Sequence, residues 1–234
     1  MGLIWHIYKT NTVDKETIGN NTMEKYTTVK GYGEAEIVEK KSRFIAHVKP
    51  ISSEDEANKY IEEIKKQYWD ARHNCYAYQL GEKSHIQRYS DDGEPGGTAG
   101  MPILDVLRGR DVKDTIIVVT RYFGGTLLGT GGLVRAYSSS AREGLMSAGL
   151  IERIPHIRKH FTVDYALSGK VQYEVLNGGH ILEDTVYTDK VEFITLSEVN
   201  KSDKLTENIV NLTGNKVEIF EDELTVFVDR DVDF

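Results

Sequence analysis

The sequence predicts an α+β protein built as two domains, and three observations carry the prediction. Residues 23–154 alternate apolar and polar positions in some stretches and show helical period in others. Residues 155–234 run strand, helix, strand, strand, helix, strand, and the charge changes where the two segments meet. Lys and Arg against Asp and Glu number 19 and 19 over residues 23–154 but 8 and 16 over 155–234, so the net charge of −8 lies wholly in the last third. A step that sharp, with Pro155 on it, marks a domain boundary. Residues 1–22 balance two against two and show neither period, so they read as a disordered or non-native extension outside the fold.

The segment YTTVKGYGEAEIVEKKSRFIAHVKPI, starting at Tyr26, reads as two extended stretches of alternating Val, Ile, Phe and Tyr. Ser53 and Glu56 form a capping-box pattern ahead of Ala57, Tyr60, Ile61, Ile64 and Tyr68, whose spacing predicts a helix. HNCYAYQLG and SHIQRYS predict two strands joined across residues 81–83. SDDGEPGGT reads as a loop, and AGMPILDVLRGR as a helix with Thr98 as N-cap and Pro102 in the first turn, where a missing N–H costs least. DTIIVVTRYF is apolar without alternation and predicts a buried strand. GGTLLGTGG turns from it into the helix LVRAYSSSAREGLMSAG, which ends at Gly149. Past Pro155 the βαββαβ order is the ferredoxin-like arrangement.

At 39% hydrophobic and 28% charged, the composition is that of a soluble globular chain. No apolar run approaches the ~20 residues of a membrane span, and the N-terminus lacks a secretory apolar core. The chain therefore reads as cytoplasmic. Cys75 is the only cysteine, which excludes an intrachain disulfide and a multi-thiolate zinc site.

Two glycine-rich loops run into helix starts: Gly96 and Gly97 before Thr98, and Gly124, Gly125, Thr126, Gly129, Thr130, Gly131 and Gly132 before Leu133. Free amides and the positive end of the helix dipole make such a place receptive to anions. Arg88, Arg121 and Arg135 flank the loops, and guanidinium matches phosphate. The two loops are expected to form facing walls of one anion-accepting cleft; the plainer reading is tight turns and solvated arginines. GxxxxGK[ST] is absent and GTGGLV lacks the last glycine of GxGxxG, so nucleotide hydrolysis and dinucleotide binding gain little.

Asp91, Asp92 and Glu94 would repel a bare phosphate, so they either hold a divalent cation or serve their own turn, since Asp-Asp-Gly is good turn chemistry. No other cofactor is expected. His73 and Cys75, two apart on one strand face, invite a nucleophile reading, against which a small core cysteine is the commoner fate. Tyr76 and Tyr78 on the other face, with Tyr122 and Phe123, offer stacking surfaces for bases or ordinary core.

SRFIAHV, HNCYAY, SDDGEPGGTAGMPIL and VVTRYFGGTLLGTGGLVRAYS together resemble the YigZ/IMPACT family, in the right order and across nearly all of residues 23–150. The resemblance implies an N-terminal domain like the second domain of ribosomal protein S five, and a C-terminal domain similar to one in elongation factor G. It also implies a role near translation, which eukaryotic relatives regulate through a kinase pathway that bacteria lack. The leading expectation is a non-catalytic protein that binds RNA or the ribosome through the N-terminal domain, since a C-terminal domain of charge −8 repels phosphates. That acidic domain suits a basic protein partner. One rival is a metal-dependent enzyme acting on a phosphorylated small molecule or nucleotide, with His73 as acid or base beside Asp91, Asp92 and Glu94. The other is a protein-interaction module without nucleic acid.

Overall fold

The computed structural model describes residues 24–81 and 84–233; the N-terminal extension read from the sequence lies outside them. The chain divides into two compact units. One is formed by Tyr26–Glu152 with the residues from Arg230 onward, the other by Arg153–Asp229.

In the N-terminal unit, after β1 (Tyr26–Val29), come β2 (Gly33–Glu39), β3 (Ser42–Pro50), α1 (Glu54–Gln67), β4 (His73–Leu80), β5 (Ile86–Ser90), α2 (Gly100–Gly109), β6 (Thr115–Tyr122) and α3 (Thr130–Ala148). The segment expected to give two extended stretches gives three, because Lys40 and Lys41 turn the chain between β2 and β3. β2 to β6 form an antiparallel sheet in the order β2-β3-β6-β4-β5. Successive residues of β6 serve opposite faces. Ile116 and Val118 pack with Ala57, Tyr60, Ile61 and Ile64 of α1, while Ile117 and Val119 pack with Leu104 and Leu107 of α2 and Tyr137 and Leu145 of α3. Cover on both faces is why that strand carries no polar alternation.

α1 starts as its capping pattern predicts. Ser53 is the N-cap and accepts from the Glu56 amide, whereas the Glu56 carboxylate reaches back to the amide of Ser52. α3 ends at Gly149, φ 69°, a conformation that favours glycine.

The second unit contains β7 (Leu150–Val163), which runs through the boundary between the units, then α4 (Tyr165–Asn177), β8 (Ile181–Tyr187), β9 (Val191–Glu198), α5 (Val199–Thr213) and β10 (Glu218–Val232). β9 lies between β7 and β8, and β10 pairs with β7, which is the ferredoxin-like strand order. Phe161, Val163, Val191 and Phe193 meet Val171 and Val175 of α4 and Leu205 and Ile209 of α5. Arg158 binds Glu183 through Nε and Nη2 and reaches Asp222, so part of the acidity is neutralised internally.

Each unit buries a histidine. His47, with no exposed side-chain surface, lies 3.3 Å from Glu34 and stacks against Tyr68; His156 donates from Nδ1 to the Ile154 carbonyl, 2.8 Å away. Burial lowers both pKa values, and the carboxylate near His47 only partly offsets this. A lowered folded pKa means that the unfolded chain takes up the proton first, near pH 6.5, so stability falls as pH drops through and below that value. Each group contributes up to about 1.4 kcal/mol per pH unit in that window. Urea unfolding followed from pH 7.5 to 5.5 should show the loss, and His47→Gln should flatten it; an unchanged slope in that variant removes His47 from the account.

Candidate functional site

The two glycine-rich segments follow β5 and β6 at the same end of the N-terminal sheet. Phe44, His73 and Arg121 are neighbours across β3, β6 and β4, on the face that α2 and α3 cover. Onto them folds the loop after β5. Glu94 Oε1 accepts from Arg121 Nη1 at 2.6 Å and from the Tyr137 hydroxyl of α3 at 2.8 Å. His73 stands behind, its Nδ1 bonded to the Asp92 carbonyl at 2.8 Å and its Nε2 4.0 Å from Glu94. Glu94, Arg121 and Tyr137 are all buried, and the Arg121 guanidinium also lies over the Phe44 ring. An opposite charge and a second donor are what a buried carboxylate needs.

The first glycine loop does not aim its amides outward. Asp91 Oδ1 accepts from the amides of Ala99 and Gly100, and Oδ2 from that of Gly97, at 2.8 to 3.0 Å. Burial works against the charged carboxylate, but the amides of Gly97, Gly100 and Ala99 outweigh it and hold Asp91 below its usual range. The expected cap, Thr98, is displaced for a physical reason. The helix starts one residue later, behind Ala99, its cap is this long-range carboxylate, and the Thr98 hydroxyl donates to the Pro95 carbonyl instead. Gly96 is exposed, and Gly97, at φ 76°, gives its amide to Asp91, so this stretch is no wall of an anion cleft.

The three acids left open by the sequence are thereby accounted for. Asp92 Oδ2 accepts from the Asn74 amide at 2.6 Å, and with Asp91 and Glu94 it faces N–H and O–H donors, the reverse of what a cation requires. Among the described residues no group of three or more His, Cys, Asp or Glu is arranged to hold a metal ion. The metal-ligand reading of Asp91, Asp92 and Glu94 is corrected on that geometry. Cys75 shares the sheet face of His73, as its spacing predicts, but it is buried with its thiol 3.0 Å from the Asp91 carbonyl. Burial pushes the thiol pKa far up, which makes it a poor nucleophile.

The second glycine loop is different. Gly124 gives its amide to Ser42 Oγ and packs on the β2–β3 turn, where a Cβ would come within 2.1 Å of the Lys41 carbonyl carbon; this glycine serves close backbone approach, not a phosphate. Gly125, Thr126, Gly129 and Thr130 are exposed, and Gly129, with φ 69°, is the N-cap of α3, so Thr130, Gly131 and Gly132 form its first turn rather than preceding it. Arg135 is exposed one turn further on. Arg88 is on the opposite sheet face, paired across the strands with Tyr78 and 3.3 Å from Glu54 under α1, and so stands apart from both loops. Arg121 lies between the loops but is buried by Glu94.

Two contributors are absent from the sequence reading. Lys40 and Lys41 both have positive φ, 46° and 67°, in a two-residue hairpin turn. Such a turn favours Asn-Gly, and each lysine there costs on the order of 1–2 kcal/mol. A local rule broken by two cations beside Gly124 points to use rather than folding. Arg72 is the other: its guanidinium sits 5.8 Å from the centroid of Phe123, an exposed ring that Arg121 approaches to the same distance from within. The polar break EKKS between two alternating runs was the signal for the hairpin; Arg72 left none.

An antiparallel five-stranded sheet with helices on both faces, together with a ferredoxin-like unit, defines a two-domain α+β protein with a basic, aromatic corner between β6 and α3. The Impact N-terminal domain matches residues 40–145, and a domain of unknown function (DUF1949) matches residues 161–216. The chain is 48% identical over 203 residues to an IMPACT family member, YvyE, of Bacillus subtilis (strain 168), covering 87% of this chain and 94% of that one. It is 36% identical over 150 residues to YigZ of Escherichia coli (strain K12), covering 60% and 74%. A crystal structure described as that of a hypothetical protein aligns with a TM-score of 0.55 at 27% identity, over 85% of this chain and 98% of the other. The chain belongs to the IMPACT family. No helix among the described residues is long and apolar enough to cross a membrane.

Proposed function

We propose that this is a translation-associated protein that binds RNA or the ribosome through the β6–α3 corner of its N-terminal unit. The observation that carries the reading is Phe123, exposed and flanked by the guanidinium groups of Arg72 and Arg121, on a loop that packs on Lys41 and leads to Arg135. An aromatic ring takes a base by stacking, and surrounding cations take the backbone. The translational role implied by the family resemblance agrees with it. The 16 carboxylates against 8 cations of residues 155–234 favour nucleic-acid contact through the N-terminal unit and suit the other to a basic protein.

A salt titration with structured RNA tests the proposal. Arg72→Ala with Arg135→Ala should lower affinity at every salt concentration and flatten the log–log slope by about 1.8 on duplex or about 1.4 on single strands, two phosphate contacts being lost. No binding at low salt, or a slope untouched by the double variant, counts against it. Arg121 is unsuitable as a probe because its removal strands Glu94.

A further inference from the structure

Beside that corner, between the end of β2 and the first turns of α3, lies a cavity of about 240 Å³. Ile37, Leu128 and Ala136 give its lining apolar surface, and Lys40, Arg135 and Ser139 give it polar groups. Neither Lys40 nor Arg135 forms an ion pair among the described residues. Glu39 completes the lining, together with Gly132 from the first turn of α3.

From this lining we infer that the cavity receives one unpaired nucleotide, with guanine as its preferred base. The inference rests on the RNA-binding reading and makes it specific. The volume falls just below the range of sites for drug-sized molecules, which suits a single base and excludes a base pair. Its lining offers both kinds of group a nucleotide needs, apolar side chains for a flat ring system and cations for a phosphate. Lys40 and Arg135 supply the phosphate end, next to amides at the start of a 19-residue helix. Glu39 repels a phosphate and therefore belongs to the base. A carboxylate accepts two N–H groups side by side, which the Watson–Crick edge of guanine presents and that of uracil does not. The strained turn at Lys40 and Lys41 has a purpose on this account: it holds a cation at the mouth of the cavity.

Guanosine 5′-monophosphate and uridine 5′-monophosphate, titrated by calorimetry, and a labelled single-stranded RNA containing one guanosine, titrated by anisotropy, test it. The full-length chain should bind the guanosine nucleotide about tenfold more tightly than the uridine one, and Glu39→Gln should narrow that gap. Ser139→Trp, at an exposed helix position, should fill the cavity and weaken nucleotide binding by about tenfold or more with an unchanged circular dichroism spectrum. Lys40→Asn with Lys41→Gly, which relieves the turn, should weaken it similarly while raising the melting temperature. RNA that binds normally to Ser139→Trp, together with no nucleotide binding, overturns the cavity inference and leaves the RNA reading standing. Nucleotide binding blocked by Ser139→Trp without any RNA binding upholds the cavity and removes the RNA reading. Equal affinity for the two nucleotides overturns the guanine assignment.

Discussion

Glu94→Ala is expected to destabilise the N-terminal unit by about 3–5 kcal/mol, because it leaves the Arg121 charge buried without its counter-ion. Arg121 is 6% exposed, its Nε already has no partner among the described residues, and its Nη1 donates to Glu94. Removing the carboxylate also strips the Tyr137 hydroxyl, fully buried on α3, of its acceptor. The comparison that isolates the cause is Glu94→Leu with Arg121→Met. Desolvating an ion pair offsets most of its attraction, so an apolar pair of similar volume should recover most of the loss, leaving about 1–3 kcal/mol for the Tyr137 hydroxyl, which lacks its acceptor in both variants. Urea unfolding of the three proteins decides the matter. A double variant as unstable as the single one would mean that packing of the loop, not the stranded charge, sets the cost.

The same cluster shows what was legible in the sequence. Strand and helix positions came through where period and local caps determine them: both faces of β6 are buried, Ser53 caps α1, Gly149 ends α3, and the C-terminal unit has its βαββαβ order. All of that chemistry is local in the chain. What stayed hidden is long-range. Glu94 meets Arg121 across 27 positions and Tyr137 across 43, and no pattern in SDDGEPGGT states whether an acid faces a cation, a metal or solvent. The expected cleft between two facing glycine loops needed their amides to point at a guest; instead the first loop gives its amides to Asp91, and Glu94 pairs with Arg121, one of the cations expected to take the phosphate. Lys40 and Lys41 were passed over because their positive φ is set by strand register, which a single sequence does not display.

Asp91→Ala is expected to cost about 2–4 kcal/mol, and the shape of the loss with pH identifies the mechanism. The carboxylate accepts three amides at the start of α2, replacing with one side chain the cap that Thr98 does not provide. Charge-assisted bonds to amides are worth more than neutral caps, and here the helix dipole adds to them. Because the folded pKa of Asp91 is depressed, its contribution is full above the unfolded value near 3.9 and is lost as pH falls through the folded one. The stability gap between natural protein and variant should therefore be constant at neutral pH and close below about pH 4. A gap that persists at pH 2.5 would assign the effect to loop packing rather than to charge. The vacated amides supply a second check. Glycine-rich amides at a helix start bind anions in general, so sulfate should stabilise Asp91→Ala beyond its salting effect on the natural protein, growing with concentration as a single-site ligand does. A sulfate response equal in the two proteins would show that these amides collapse onto one another once Asp91 is gone, and that the loop is shaped by its carboxylate rather than merely filled by it.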